Sequence, residues 1–501
     1  MTLLYLLLSG PVQAESPATA QARALLHAVA PDGQEVTSRS KRPWWSAVDD
    51  PTLHALIQEG MRHSPDLAAA DAQVRLAEAG RAQSLAGLLP TLSVELQGQV
   101  MPTDGISLSP YSSSMPDYGA AFEGLAELMA SLAELTGQDP STLPSLEVES
   151  TELPDTYGQG SAMLVGTLPI DIAGRQVHGY LASRHSATGA VMDQAALRMT
   201  LSLRIAQGWY DLVAARKQAD IVGRQVQANK DMRELVRIRY EGGEATALDL
   251  LQQRQQLAAT EALLPRARAQ VVAAQQALAV SMGKPPGTEI PAGDSLPELG
   301  AAPATGTPDR LLVDRPDLSA SVARLDAARL QRTGAVLGLA PTLGVTGSAG
   351  RQFLRIEDTD HVDTWSVGAA LSVPLFGGGR THAGIKAATA QRDLAEAQLR
   401  SRVLAVAQEV QTAGAEERES AATLAAAGRQ HAAARAAYVE SRARYLEGLI
   451  PYVNVLAALV SHQVAELSLL DAQRSRLRAR VRLHGALGGP WVHQPLLEDT
   501  P

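Results

Sequence analysis

The chain has no cysteine among its 501 residues, and this absence excludes several chemistries at once. Disulfide bridges, cysteine-ligated zinc, iron–sulfur clusters and a thiol nucleophile all need the missing side chain. Aromatic residues are also scarce, at 4% against a hydrophobic fraction of 45%. The apolar content is mostly Ala, Leu and Val, and Ala and Leu favour helices that pack along long, thin seams.

Basic charge is not in excess, since the formal net charge is −9. A strongly basic nucleic-acid-binding surface is therefore excluded, and we expect no nucleic-acid partner. Long apolar runs are missing as well. No internal stretch reaches the roughly 18 consecutive apolar residues that are typical of a membrane-spanning helix.

The one dense apolar run lies at residues 3–8, and Val12-Gln13-Ala14 follows it with a small-x-small pattern. We therefore expect residues 1–14 to be a secretory signal peptide that is cleaved after Ala14. No Lys or Arg precedes the apolar run, so a buried N-terminal strand is the alternative.

The sequence repeats itself once, and the self-similarity predicts two copies of one structural unit. The matching segments are Pro65-Asp66-Leu67 with Pro316-Asp317-Leu318 and Pro90-Thr91-Leu92 with Pro341-Thr342-Leu343 at an offset of 251, then Pro169 with Pro374 and Arg239-Tyr240 with Arg444-Tyr445 at an offset of 205. The difference, 251 − 205 = 46 residues, is an insertion between Thr91 and Leu168 of the first copy.

Each repeat is predicted to contain a helix, two strands, a long helix and a return helix. The first repeat covers 64–285, with strands at about 91–100 and 159–170, a long helix at 176–240 and a return helix at 246–282. The second covers 315–490, with strands at about 342–350 and 364–375, a long helix at 381–445 and a return helix at 452–487. Outside the repeats lie an N-terminal segment at 15–63, a linker at 286–314 and a C-terminal tail at 491–501.

The helix lengths predict two staves of similar length per repeat. At 1.5 Å per residue, a helix over 176–240 is roughly 100 Å long, and the return helix stacked on the first helix reaches roughly 90 Å. Along the first return helix, apolar residues recur every seven positions, which is typical of a coiled-coil seam. These residues are Leu250, Leu257, Leu264, Val271 and Leu278. Pro265 is expected to bend this helix.

The predicted strands alternate between apolar and polar residues, most clearly over 91–100 and 364–373. Strands of about ten residues with one apolar face suit a membrane β-barrel, whereas two soluble hairpins packed on a helix are the alternative. Four strands are too few to close a barrel, and open edges cannot face lipid, so several chains would have to share one barrel. Three chains would supply twelve strands. We expect the few aromatic residues to lie at membrane rims, as Phe353 and Trp365 would near strand ends.

The chain resembles the TolC-like outer-membrane efflux protein family from about Trp44 to Trp491. The motifs that carry the resemblance are Asp50-Pro51-x-Leu53, Pro65-Asp66-Leu67, Leu88-Leu89-Pro90, Arg239-Tyr240-x-Gly242-Gly243, Leu248-Asp249-Leu250-Leu251, Leu263-Leu264-Pro265, Leu375-Phe376-Gly377-Gly378-Gly379-Arg380 and Arg444-Tyr445-x-x-Gly448-Leu449. No single motif is strong, but the repeat, the spacing and the set of motifs are specific together.

The resemblance implies an α+β membrane protein. Three chains would form a trimeric 12-stranded outer-membrane β-barrel, with four strands per chain, that continues into a long periplasmic α-helical barrel. The implied function is a passive exit duct for small toxic compounds, in the Gram-negative outer membrane. The implied partners are a periplasmic adaptor protein, an inner-membrane pump and outer-membrane lipid. A channel for type I protein secretion and a soluble periplasmic coiled-coil scaffold are the alternatives.

By the same resemblance, the turns that join each long helix to its return helix form the periplasmic tip. The residues expected there for adaptor contact or tip closure are Arg239, Tyr240, Gly242, Gly243, Arg444, Tyr445, Gly448 and Leu449. Two simpler roles are open: glycines suit any tight helix–helix turn, and an arginine near a helix C-terminus compensates the helix dipole.

Asp249 and Asn454 occupy equivalent positions just after the two turns, since 454 − 249 = 205. Asp249 is expected to contribute to an acidic ring at a pore constriction, which would favour cations. Alternatively, it merely caps its helix electrostatically. Asn454 is the second candidate for the constriction, but its neutral side chain departs from the acidic pattern.

The remaining expectations concern absences and the insertion. The insertion, at about 101–156, is expected on the extracellular side as a lid, with an amphipathic helix around 125–135. Many relatives carry a lipidated cysteine, so the cysteine-free chain is expected to have no lipid anchor. No motif for catalysis, a metal or a cofactor is present, and we expect none of these.

Overall fold

The computed structural model describes residues 15–29, 43–48, 50–102, 156–291, 293, 295–304, 307–353 and 362–489. The expected signal peptide, the C-terminal tail and nearly all of the insertion, with its expected amphipathic helix, lie outside the described residues.

The described residues follow the predicted order of elements in both repeats. The helices are α1 (Pro17–Val29), α2 (Pro51–His63), α3 (Pro65–Ala86), α4 (Arg175–Glu241), α5 (Ala247–Ser281), α6 (Pro308–Asp314), α7 (Pro316–Val336), α8 (Arg380–Leu446) and α9 (Tyr452–Leu487), with 3-10 turns at Trp44–Ala47 and Leu337–Leu339. The strands are β1 (Thr91–Pro102), β2 (Thr156–Ile170), β3 (Thr342–Phe353) and β4 (Val362–Ser372). The long helices α4 and α8 have 67 residues each, which makes each about 100 Å long.

Proline begins several of these helices, as expected for a residue that has no N–H to leave unpaired in the first turn. At the start of α2, the carboxylate of Asp50 also accepts a hydrogen bond from the Leu53 N–H at 3.0 Å. The segment predicted as a linker contains a helix, α6, that sequence reasoning missed. It begins at Pro308 and buries Leu311 and Leu312.

The chain divides into two compact units. The helical unit comprises the described residues within 1–80, 182–329 and 389–501, and the sheet unit comprises those within 81–181 and 330–388. In the helical unit, the largest core surrounds the middle of α4, where Ile205, Trp209 and Tyr210 are buried. The indole N–H of Trp209 donates to the Asp50 carboxylate at 2.8 Å.

This core corrects one expectation about the aromatic residues. Trp44, Trp45 and Trp209 are all buried in the helical unit, whereas among the described tryptophans only Trp365 is exposed on the sheet. The scarce aromatics therefore do not lie mainly at membrane rims. A seam of Ala and Leu leaves gaps where helices diverge, and large rings fill such gaps well.

The predicted seam of α5 faces the neighbouring helices of the helical unit. Leu250, Leu257 and Leu278 are buried, and Leu264 and Val271 are partly buried. Halfway between these leucines lie Gln253 and Thr260, which are buried as well. The seam of α5 therefore has apolar residues at one heptad position, and two of the residues at its second heptad position are polar. Pro265 lies inside α5, which continues to Ser281.

The sheet unit holds one antiparallel sheet with the strand order β1-β2-β3-β4. Its two hairpins have the same register once the repeat offsets are applied. In the first hairpin Thr91 pairs with Thr167, and in the second hairpin the equivalent residues, Thr342 and Ser372, pair with each other. Between the hairpins, β2 and β3 pair with Gly166 opposite Gly347.

The register places the alternating residues on two distinct faces, because directly opposed residues share a face. The apolar face carries Leu92, Val94, Leu96, Leu164, Leu168, Val345, Ala349, Trp365, Val367 and Leu371. The other face carries mainly polar or small residues, including Thr91, Ser93, Glu95, Gln97, Ser348 and Ser366. The apolar face is open, with Trp365 80% and Val367 73% exposed. Such a surface needs a cover of lipid or protein.

One helix of the described chain, α9, is long and apolar enough to cross a membrane by length and composition alone. A single helix that passes this test is weak support for a membrane span. In α9 the residues Tyr452, Val455 and Leu459 belong to a core cluster of the helical unit, so these side chains are covered by protein.

Candidate functional site: the two helix–helix turns

Each long helix ends in the same glycine turn. Gly243 and Gly448, which are equivalent in the repeat, have φ angles of 77° and 76°. This left-handed conformation strains residues that carry a Cβ, so glycine is required by the backbone itself. The hydrogen bonds also match, because Glu244 N–H donates to Arg239 O at 2.8 Å and Leu449 N–H donates to Arg444 O at 2.9 Å. The shared backbone geometry therefore explains Gly243 and Gly448, but not Gly242, without any reference to function.

Arg239 joins the two turns of the chain. One guanidinium nitrogen donates to the carbonyl oxygen of Leu446 at 2.9 Å, at the C-terminus of α8. Another lies 3.2 Å from the carboxylate of Glu244, and the guanidinium carbon lies 4.7 Å from the centroid of the Tyr445 ring. The arginine thus neutralises the negative end of the other long helix and stacks on its last aromatic residue.

Its repeat equivalent, Arg444, behaves differently. The Arg444 side chain is 57% exposed and pairs with Glu440 of its own helix at 2.7 Å, whereas only 14% of the Arg239 side chain is exposed. The two arginines were predicted as equivalent, but the structure gives a connecting role to Arg239 alone.

The remaining predicted residues fall into two groups. Tyr445 is buried and packs edge-to-face on Tyr452 at 5.7 Å between ring centroids. The exposed residues are Tyr240, Gly242, Leu449 and Asn454. Tyr240 and Leu449 present apolar surface, 44% and 67% exposed, and so remain candidates for adaptor contact.

Asp249 forms a capping box with Thr246 at the start of α5. Its carboxylate accepts from the Thr246 N–H at 2.9 Å, and its own N–H donates to the Thr246 hydroxyl at 3.2 Å. The capping alternative is therefore realised in the structure. A place for Asp249 in a pore constriction stays a prediction, as it does for Asn454.

Sequence reasoning missed a buried polar network just beyond the turns. The Tyr452 hydroxyl donates to the Gln253 side-chain oxygen, and the Gln253 amide donates to the Asn229 carbonyl oxygen at 2.8 Å. Asn229 in turn donates to the Thr260 hydroxyl at 3.2 Å. Burial raises the pKa of the Tyr452 hydroxyl above its usual range, so the hydroxyl remains a donor. The available signal was the pair of polar residues, Gln253 and Thr260, in the α5 seam.

Metal binding finds no suitable arrangement of side chains in the part of the chain that is described. No group of three His, Asp or Glu side chains is placed there to hold a metal ion. His178, one of the two histidines of α4, forms a hydrogen bond with the Gly174 carbonyl oxygen at 2.7 Å.

The fold and the turns together define a class of protein. Two helical repeats, each interrupted by two strands of one four-stranded amphipathic sheet, form the fold of the TolC-like trimeric outer-membrane channels. The family model described as outer membrane efflux protein matches residues 126–284 and 307–489. The chain belongs to the outer membrane efflux protein family, and it is an efflux duct of the Gram-negative outer membrane with a periplasmic helical portion.

Comparisons with individual proteins agree with this assignment. The pyoverdine export outer membrane protein OpmQ of Pseudomonas aeruginosa is 28% identical over 464 residues, which cover 90% of this chain and 88% of that protein. The solvent efflux pump outer membrane protein SrpC of Pseudomonas putida is 30% identical over 263 residues, which cover 50% of this chain and 54% of that protein.

Two solved structures show the same fold. The outer-membrane channel OprN has a TM-score of 0.76 at 24% identity, over 96% of this chain and 97% of that one. The outer membrane protein VceC from Vibrio cholerae has a TM-score of 0.73 at 22% identity, over 89% of this chain and 98% of that one.

Proposed function

We propose that three copies of this chain form the exit duct of a tripartite export system. The observation that carries the proposal is the sheet, which has an apolar face, a polar face and strands β1 and β4 at its edges. In lipid, an unpaired edge costs several kcal/mol per unsatisfied backbone group, so the strands of other copies would have to close the sheet. Twelve strands would enclose the polar face as a lumen.

A periplasmic adaptor and an inner-membrane transporter complete the proposed system. The turns of α4–α5 and α8–α9 support adaptor docking, because they expose apolar side chains at helix ends. These side chains are Ile238, Tyr240, Leu248, Leu251, Leu446 and Leu449. Apolar surface at a helix-hairpin end suits the hairpin of a coiled-coil partner.

Small organic compounds are the cargo that the comparisons favour. The relative that matches over 90% of this chain is named for pyoverdine export. The alkaline protease secretion protein AprF of Pseudomonas aeruginosa matches over only 38% of it. We therefore propose export of small molecules, with a pyoverdine-like compound as the first cargo to test, and retain protein secretion as the second candidate.

A deletion strain tests the cargo class. The gene is deleted in its own host, and pyoverdine-like compounds, toxic solutes and secreted proteins are measured in the medium and in the periplasm. The proposal expects pyoverdine-like compounds or toxic solutes to accumulate in the cells, with wild-type levels restored by the intact gene. Unchanged solute export together with loss of a secreted protein would favour the second candidate instead.

A further inference from the structure

The edge strands β1 and β4 have a partner on one side only, and they are equivalent in the repeat to β3 and β2, which have partners on both sides. The offset of 205 relates β2 to β4, as Pro169 relates to Pro374, and the offset of 251 relates β1 to β3, as Pro90 relates to Pro341. The pairing of β2 with β3 is therefore an internal example of what β4 and a β1 strand would form. The register of β2 with β3 is therefore the template for a contact between β4 and a β1 strand.

The offsets transfer register correctly wherever the chain allows a check. The pair Thr91 and Thr167 of the first hairpin becomes Thr342 and Ser372 of the second, and these two residues are paired in the sheet. The repeat thus preserves strand register to the residue, and not merely the order of elements.

We infer that β4 pairs antiparallel with β1 of a second copy of this chain, in the register of β2 with β3. The inference rests on the proposed shared barrel. Within the chain Leu168 opposes Val345 and Ile170 opposes Leu343. Transferred by the two offsets, Val373 opposes Val94, and Leu375 opposes Leu92, of the second copy.

The faces of the two strands agree with this register. It places Leu371, Val373 and Leu375 opposite apolar residues of β1, and Ser372 opposite Glu95. A slip by one residue would set apolar side chains of one strand against polar side chains of the other, on both faces.

The length of β4 argues against a slip of two residues towards Pro90. β2 runs three residues past its pairing with β1, which ends at Thr167, and residues 168–170 pair with β3 alone. In β4 the equivalent residues, 373–375, lie past the last pair with β3, at Ser372, and are not in strand conformation. The inferred register gives each of these three residues a partner in β1. A two-residue slip in one direction instead sets Leu375 opposite Pro90, which has no N–H to donate.

Exposure at the same place points to a missing neighbour. Leu375 and Phe376 are 92% and 93% exposed, although both are large and apolar. Ile170, the repeat equivalent of Leu375, is 38% exposed beside β3. On assembly, β4 is expected to extend through Leu375 and to cover this residue against the next copy.

Disulfide trapping tests the register, and the cysteine-free chain needs no background mutations. The matched pair is Ser372→Cys with Glu95→Cys, and the slipped pairs combine Ser372→Cys with Ser93→Cys or with Gln97→Cys. Directly opposed residues have Cβ atoms about 5 Å apart, and diagonal ones roughly 7–8 Å, which exceeds disulfide reach. Single-cysteine variants serve as controls, and native mass spectrometry reports the oligomeric state of each variant.

The inference expects covalent dimers and trimers from the matched pair under copper–phenanthroline oxidation, and monomers from both slipped pairs. Two results would overturn the register and leave the proposed function standing. One is faster cross-linking of a slipped pair than of the matched pair, and the other is a native trimer in which the matched pair does not cross-link. Chains that remain monomeric in native mass spectra would overturn the shared barrel, and the register with it.

Discussion

The guanidinium of Arg239 lies over the ring of Tyr445, with 4.7 Å between the guanidinium carbon and the ring centroid. This contact joins the end of one long helix to the end of the other, and the hydrogen bond to the Leu446 carbonyl oxygen reinforces it. Arg239 therefore couples the two helix pairs of the chain at their turns.

Replacing Arg239 tests this coupling. Arg239→Ala removes a charged hydrogen bond and a cation–π contact, together on the order of 1–3 kcal/mol. We expect the turns to loosen and the leak of vancomycin-sized solutes into cells to rise. Arg444→Ala is the matched control, since its ion pair is exposed and worth little. Equal leak from both variants would contradict a special role for Arg239.

The buried network around Tyr452 predicts unequal effects of two tyrosine hydroxyls. Tyr452→Phe leaves the Gln253 oxygen without its donor, which costs roughly 1–3 kcal/mol in a buried site. Tyr445→Phe should cost much less, because the Tyr445 hydroxyl is buried without a hydrogen-bond partner among the described residues. Thermal unfolding of the purified protein measures both variants, and a Tyr445→Phe loss as large as that of Tyr452→Phe would refute the assignment.

Asp249 can be tested with a substitution that separates capping from charge. Glutamine at the third helical position still completes a capping box but carries no charge. We expect Asp249→Gln to retain thermal stability and to reduce the cation selectivity of the channel, whereas Asp249→Ala should reduce both. Unchanged selectivity in Asp249→Gln would leave this residue with its capping role alone. Asn454→Ala is the control at the equivalent position.

His462 makes the helical unit sensitive to acid. Its ring stacks on His431 at 5.3 Å and on Tyr438 at 5.7 Å. Burial lowers the pKa of the His462 imidazole below its usual value, His431 and Arg435 act in the same direction, and Glu466 opposes them. The unfolded chain then binds the proton more readily than the folded chain.

The free energy of unfolding should consequently fall as the pH drops below about 6.5, the pKa of a histidine in the unfolded chain, towards the lower pKa of His462 in the folded chain. Unfolding curves between roughly pH 7.5 and 5.5 measure this slope. We expect His462→Gln to flatten it, and His382→Gln, at an exposed site, to leave it unchanged. An identical slope in wild type and His462→Gln would contradict the account.

Sequence periodicity predicted the helices and strands of the two repeats, because proline starts and an alternating or heptad pattern have direct physical meaning, but it missed α6 in the predicted linker. The repeat offsets also predicted which residues are equivalent. Equivalence in sequence did not predict environment, as Arg239 and Arg444 show. That difference depends on which turn each side chain faces, and this is a property of tertiary packing.

The buried polar network and the aromatic core were missed for a similar reason. Gln253 looks like a surface residue in a composition count, and only its heptad position marks it as buried. Trp209 gives no periodic signal of its own, and its partner Asp50 lies far away in the chain. The sequence alone predicts which residues of a strand share a face, but not which residues of two strands lie opposite each other. That register follows only from the pairing of β2 with β3 in the structure.

Single-channel recording in planar lipid bilayers tests the central claim, that copies of this chain share one membrane barrel. Protein extracted in detergent and purified as a trimer should insert and give discrete, long-lived conductance steps of uniform size. Monomeric protein that inserts without conductance, or that fails to insert, would contradict the shared barrel.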